Sequence, residues 1–180
     1  MNRLFILLLS ILLTAGPAYA SSVHGAGLAV EFEMLVNTEA KVGATAGWTL
    51  GGGAVNTGSM ATLPASQTGS TLVVPIMGLK VGDTITAFKV VGQIESAGNT
   101  ATLDADLRKL TAVAAANTDA SVGAITQISV TADTKVGTSK TGLSEVVAAD
   151  ESFYVLLTGT TAALTDIDLL SVTVSVEGAN

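Results

Sequence analysis

Residues 25–37 read G-A-G-L-A-V-E-F-E-M-L-V-N, and the period of that stretch sets the fold class. Leu28, Val30, Phe32, Met34 and Val36 fall on every second position, which places them on one face of an extended strand. Ala29, Glu31, Glu33 and Leu35 form the other face, so one side asks for burial and the other for water. Glycines precede the strand and the polar run Asn37 to Lys41 follows it. It is either the first strand of its own sandwich or an arm that completes the sandwich of a neighbouring copy.

What stands in front of this strand has the grammar of an export signal. Arg3 supplies a positive n-region, Leu4 to Leu13 an apolar h-region, and Gly16-Pro17 a break ahead of Ala18-Tyr19-Ala20, a small-x-small cleavage pattern. Ten such residues fall well short of the roughly 20 that span a bilayer, so residues 1–20 are expected to be cleaved rather than retained as an anchor. The expected location is secreted, extracellular or at the cell surface, with no membrane attachment after cleavage. The sequence has no cysteine, which excludes disulfides and a lipid-modified cysteine.

Cleavage leaves 160 residues, divided here into an N-terminal strand or arm with its connector (21–43) and one sandwich domain (44–180). Seven basic residues then face 15 acidic ones, and no basic stripe is available for a phosphate backbone, so nucleic acid is excluded as a partner. Only 13% of residues are charged. A chain so poor in charge and without cross-links must hold together by strand burial or by assembly.

Downstream, Ala44 to Ser70 is rich in glycine and small polar residues and reads as loop with short strand pieces. It contains the only tryptophan, Trp48, either a sugar-stacking platform or a plug over one end of the core. The plug is favoured, since a carbohydrate face normally needs more than one exposed ring. Leu72-Val73-Val74-Pro75-Ile76 is a short strand whose proline suits an edge or a strand end. Gly78 to Asp83 is a turn. In Thr84 to Ile94, Phe88, Val90 and Ile94 share a face while Ile85 is out of step, which predicts a β-bulge around Thr86-Ala87. Gly98-Asn99 is expected to make a tight hairpin turn. The return strand, Ala101 to Leu110, turns Leu103, Ala105 and Leu107 inward and Asp104, Asp106 and Arg108 outward.

Thr111 to Ser121 is the one place where a helical turn is conceivable. Gly123 to Ala132 reads as a strand, with Ile128, Val130 and Ala132 on one face, and Asp133 to Ala149 as a long polar connection. Phe153, Val155 and Leu157 alternate in the next strand, and Leu170, Val172, Val174 and Val176 alternate in the last. With about eight or nine strands and no useful helical period, the fold class is all-β, an antiparallel sandwich, and a jelly roll is the form this strand count favours.

Chemistry has little material to work with, and no enzyme activity is expected. His24 is the only histidine, and neither a nucleophile elbow nor a nucleotide-binding loop occurs. Asp104 with Asp106, and Asp166 with Asp168, are i, i+2 pairs that share a strand face, read either as a glycosidase pair, as calcium ligands or as solvated surface. Asp150 and Glu151, at a loop-to-strand junction, are the best single place for a calcium ion.

The succession V-V-P-I, K-V-G-D-T-I-T-A-F-K-V-V-G, G-N-T-A-T-L-D-A-D-L-R-K and E-S-F-Y-V-L-L-T-G-T-T, closed by a valine-serine-threonine strand, spans roughly Thr71 to Val176. It resembles the jelly-roll modules of virion and tail-type structural proteins. With a signal peptide in front, it is also similar to secreted jelly-roll subunits of extracellular tubes and fibres, such as cannula proteins. The resemblance implies donor-strand exchange, in which the N-terminal strand of one copy fills a groove in the next, sometimes with calcium at the junction. Leu28, Val30, Phe32, Met34 and Val36 match that strand and Asn37 to Gly43 its connector.

The expectation is therefore a secreted subunit that polymerises with other copies of itself into a filament or tube. Burying five such side chains is worth roughly 7–15 kcal/mol before ordering costs, enough to hold a fibre without disulfides. The alternative is a monomeric binding module for carbohydrate or a cell-surface partner, which needs Trp48 and Tyr154 exposed on one patch.

Overall fold

The computed structural model describes residues 29–34, 47–50, 61–114 and 116–178, with side-chain surroundings from residue 47 onward. Residues 1–20, His24, Leu28, Val36 and the connector 37–43 lie outside the described residues. Eight antiparallel strands are present: β1 (Ala29–Met34), β2 (Thr49–Leu50), β3 (Ala61–Leu63), β4 (Gln67–Ile76), β5 (Thr84–Thr111), β6 (Thr118–Val146), β7 (Glu151–Thr161) and β8 (Thr165–Glu177). No helix occurs among the described residues.

The centre is one long hairpin. β5 and β6 run 28 and 29 residues and pair along their whole length. The first half of β5 pairs with β8, from Thr84 opposite Glu177 to Ser96 opposite Thr165. The second half pairs with β7, from Ala101 opposite Thr161 to Thr111 opposite Glu151. The hairpin thus doubles back on itself near residues 96–100, and the sheet curls into two layers. One layer runs β8, first half of β5, second half of β6; the other runs β4, β7, second half of β5, first half of β6. β3 and β1 both lie on the outer edge of β8, β3 against Ile167–Leu169 and β1 against Val172–Glu177.

The molecule therefore has two ends. At the corner end lie the bend at 96–100, the β7–β8 turn and the start of β4. At the rim end lie the start and finish of the β5–β6 hairpin, the end of β4, the start of β7 and the end of β8.

Alternation explains the core. Leu72, Val74, Phe88, Val90, Ile94, Leu103, Leu107, Val155, Leu157, Ile167, Val172 and Val174 are all buried between the layers. Trp48 joins them at 7% exposure, its indole Nε1 donating to the Ser70 carbonyl at 3.1 Å. Gly159 makes room for it, because a Cβ there would lie 2.5 Å from Leu63 Cδ2 and 3.2 Å from Trp48 Cζ2. The bulge at Thr86 is present, with the register jumping between Ile85 and Ala87 against both neighbours, so that Ile85 and Phe88 both point inward. Pro75 sits on β4, which pairs only with β7 and forms the edge of its layer among the described residues.

Four local expectations are corrected. Gly98-Asn99 is a corner inside one continuous strand, not a hairpin turn. Gly98 takes φ +88°, and Asn99 is tied across to the β7–β8 turn through Nδ2 to the Ala163 carbonyl at 2.7 Å. Asp133 to Val146 is strand, because its β-branched and Ser/Thr residues suit an edge strand with little to bury. The segment 111–121 forms no helical turn among its described residues, and β6 has already begun at Thr118. In β8 the clean alternation breaks at Leu170, which is 42% exposed. Val91 faces Ser171 while Gly92 faces Leu169, so β8 carries one extra residue there and Leu170 bulges outward.

Candidate functional site

The strand 29–34 is the segment singled out for assembly, and it lies antiparallel along the last six residues of β8. Val30, Phe32 and Met34 stand opposite Val176, Val174 and Val172. Those three valines are buried and alternate with Thr173 and Ser175 on the other face of β8. β1 pairs with no other strand among the described residues. If it left, β8 would present the unpaired backbone groups of residues 172–177 along an open edge. The acceptor side of this arrangement was legible only as a core strand, since alternation does not say which edge of a strand is left for a partner.

The residues proposed for calcium are at the rim end. Asp150 offers its carbonyl to the Ala112 N–H at 2.9 Å. Glu151 Oε2 accepts the Ala148 N–H at 2.9 Å, and Oε1 lies 3.0 Å from Lys109 Nζ, which also reaches Glu145. The Ala148 N–H first, and then Lys109, hold the Glu151 carboxyl below its ordinary range. Glu145 first and Glu151 second push the Lys109 ammonium up. Both Glu151 oxygens are thus engaged within the chain. Among the described residues no group of three or more His, Cys, Asp or Glu side chains could hold a metal ion.

The first aspartate pair is a balanced surface. Asp106 Oδ2 lies 2.8 Å from Arg108 Nη1, Arg108 Nε lies 3.0 Å from Asp119 Oδ1, and the Tyr154 hydroxyl donates to Asp119 Oδ2 at 2.9 Å. Asp104 accepts from Gln127 Nε2 at 2.8 Å. The row crosses β6, β5 and β7 on the outer face. Its hydrogen bond from Arg108 lowers the Asp119 carboxyl, while burial first and Asp119 second raise the Tyr154 phenol. Tyr154 is held in this row and Trp48 is in the core, so the two do not form a common exposed patch.

The second pair differs. Asp168 is buried and accepts the Thr62 hydroxyl at 2.6 Å. Asp166 stands opposite Glu95, and Asp133 reaches the Ser96 N–H at 2.9 Å from the neighbouring strand. Burial first, then Glu95, Asp168 and Asp133, push the Asp166 carboxyl above its ordinary value. Asp166 Oδ1 is buried without a hydrogen-bond partner.

One shallow hollow lies on the outer face of β8, β5 and β6. It has about 340 Å³ and is lined by the hydroxyls of Ser139, Thr141, Ser171, Thr173 and Ser175 around Lys89. No protein-family model matches this sequence, and no curated protein is detectably similar to it.

Proposed function

We propose that this chain is a secreted structural subunit that self-assembles into an extracellular filament or tube by donating residues 28–36 to the next copy. The observation that carries the reading is the position of β1. It lies at a sheet edge, paired to β8 alone among the described residues, with a six-residue register that an identical strand from another copy would reproduce.

The strand order supports a jelly-roll reading of the sandwich. A doubled-back hairpin whose halves pair with β8 on one layer and β7 on the other, flanked by β3 and β4, is how that fold is assembled. Calcium, on this reading, would bind between copies, where oxygens of a second subunit can add to Asp150, since Glu151 is already engaged at home.

Electron microscopy of the secreted protein tests the proposal. Filaments or tubes are expected; monodisperse globules at high concentration, with and without calcium, overturn it. Phe32→Asp is expected to abolish filaments and leave folded monomers. If the variant's monomers unfold instead, the strand belongs to its own domain. The hydroxyl-lined hollow favours a second reading, a carbohydrate-binding module, and saccharide binding lost on Lys89→Ala in a protein that stays monomeric would select it.

A further inference from the structure

A donated strand makes the same contacts in a neighbour that it makes at home, so exchange by itself gains nothing. At home the connector also keeps the strand at high effective concentration. A polymer of this chain therefore needs at least one contact that exists only between copies. This inference rests on the assembly reading above and asks where that contact lies.

The corner end presents one feature out of keeping with its surroundings. Leu164, in the β7–β8 turn, adopts φ +60° and is 74% exposed. A leucine in the left-handed region is strained, and turns that need this conformation ordinarily use glycine or asparagine. The turn is nevertheless held firmly. Ala162 accepts from the Ser66 N–H and donates to the Thr100 carbonyl, Ala163 accepts from Asn99 Nδ2, and Leu164 accepts from the Ala97 N–H. An over-determined, strained backbone that fixes a bare apolar side chain at the tip of the molecule points to a contact made there.

The rim end carries the matching feature. Met77, Val81, Val113 and Val146 are 69%, 65%, 49% and 56% exposed, and Leu110 is 38% exposed. They sit on loops and strand ends that are stitched together. Gly82 donates to the Val147 carbonyl and Val147 to the Asp83 carbonyl, both at 2.8 Å, while Ala112 donates to Asp150 at 2.9 Å. Exposed apolar side chains thus stand at the end of β4 and at both ends of the β5–β6 hairpin, all at the rim end.

We infer that Leu164 of one copy seats on the apolar rim of the next, so that corner meets rim along the filament axis. The occupant is a second copy of this chain, because the two features lie at opposite ends of one molecule. A contact between opposite ends cannot close on itself in a dimer and propagates as an open fibre. The connector is also long enough for strand donation across the same contact. β1 runs from Ala29 at the rim end, opposite Glu177, to Met34, opposite Val172, and the next described segment resumes at Gly47 beside Trp48 near the corner end. The residues between, 35–46, reach at most roughly 45 Å. That suffices to pass from the corner of one copy to the β8 edge of a copy stacked on it. Both ends carry more acids than cations, with Glu95, Asp133 and Asp166 against Lys135 near the corner, and Asp83, Glu145, Asp150, Glu151 and Glu177 against Lys80 and Lys109 at the rim. Screening by monovalent salt should therefore promote assembly.

The test compares wild type, Leu164→Gly and Leu164→Asp by sedimentation and electron microscopy across a concentration series. Leu164→Gly relieves the backbone strain, so its monomer is expected to melt a few degrees higher. Its filaments are expected to need about ten- to a hundredfold more protein. Leu164→Asp is expected to form none at wild-type concentrations. Because the native chain lacks cysteine, the double variant Leu164→Cys with Val81→Cys should give a disulfide-linked ladder on oxidation, and neither single variant should. Filaments of Leu164→Gly at the wild-type concentration, or no ladder from filaments of the double variant, overturn the end contact and leave the filament reading standing. If wild type forms no filaments but associates weakly in a Leu164-dependent way, strand donation falls and the end contact stands. A wild-type chain that stays monomeric at all concentrations overturns both.

Discussion

The two halves of β5 do the same work under different constraints. The second half keeps an unbroken register with β7 from Ala101 to Thr111, and its outward acids meet a cation. The first half meets β8 through two breaks, one from the extra residue Thr86 in β5 and one from the extra residue Leu170 in β8. Its outward acids, Glu95 with Asp166 and Asp133 nearby, have no such cation between them, and Asp166 Oδ1 is left without a partner. The second half lies in the layer closed by β4, and the first in the layer whose outer edge is shared between the short β3 and β1. Breaks are not confined to the first half, since the second meets β6 through shifts between Leu103 and Ala105 and between Leu107 and Arg108. What sets the layers apart is the pairing of their outward acids and the divided edge of β8, which leaves a slot for an added strand.

The sharpest way to break this contrast is at Gly92, where the bulge of β8 brings its backbone against β5. A Cβ at Gly92 would stand 2.4 Å from the Asp168 carbonyl oxygen, a backbone atom that cannot swing away. Gly92→Ala is expected to destabilise the fold by about 2–4 kcal/mol, read from urea unfolding. Gly137→Ala is the control on the neighbouring strand, since a Cβ there meets nothing within 4 Å, and it should stay within about 0.5 kcal/mol of wild type. Equal effects at the two glycines would show that the close approach is not maintained.

These differences also mark how far the sequence could be read. The second half of β5 was legible because Leu103, Ala105 and Leu107 alternate with Asp104, Asp106 and Arg108 without a slip. The bulge at Thr86 was legible too, since Ile85 and Phe88 are three apart and both apolar. The bulge at Leu170 was hidden, because Leu169 and Leu170 are equally apolar and either phase fits. Gly98-Asn99 looked like a hairpin because a corner in a strand and a tight turn ask for the same left-handed glycine. Asp133–Val146 looked like loop because polarity was taken for lack of structure, although Thr134, Val136 and Thr138 hold a period of two. The Asp106–Arg108–Asp119–Tyr154 row could be seen only in its i, i+2 part, for Asp119 and Tyr154 arrive from other strands. Leu164 had no signal of its own, being one leucine between two apolar strands.

Of middling size is the effect of removing the cation from the balanced row. Arg108→Met keeps the aliphatic stem and leaves Asp106 and Asp119 facing each other without their guanidinium, at side-chain exposures of 22% and 43%. The expected loss is about 1–2 kcal/mol, and it should shrink in high salt. A double-mutant cycle with Asp119→Asn reads the coupling directly. Coupling within error of zero would make the row a decoration of the surface and erase the electrostatic half of the contrast.

The smallest effect tests the unbalanced row through pH. Asp166 is raised above its ordinary 3.8 by burial and by its acidic neighbours. The folded protein therefore holds that proton more tightly than the unfolded chain does. The stability linked to it is fully present below 3.8 and is lost as pH rises through the folded value. Asp166→Asn removes the loss. It should exceed wild type at about pH 7 by less than about 1 kcal/mol after solvent screening, with the gain vanishing toward about pH 3. Glu151 behaves oppositely. Its carboxyl lies below 4.5 in the fold, so its contribution is present above 4.5 and lost as pH falls through the folded value. Glu151→Gln should therefore be less stable than wild type near neutrality and converge with it in acid. Urea midpoints of the three proteins across that pH range give two difference curves of opposite sign. If the Asp166→Asn curve is flat, or negative at neutral pH, the acids beside the open edge are no burden, and the two halves of β5 differ in geometry alone.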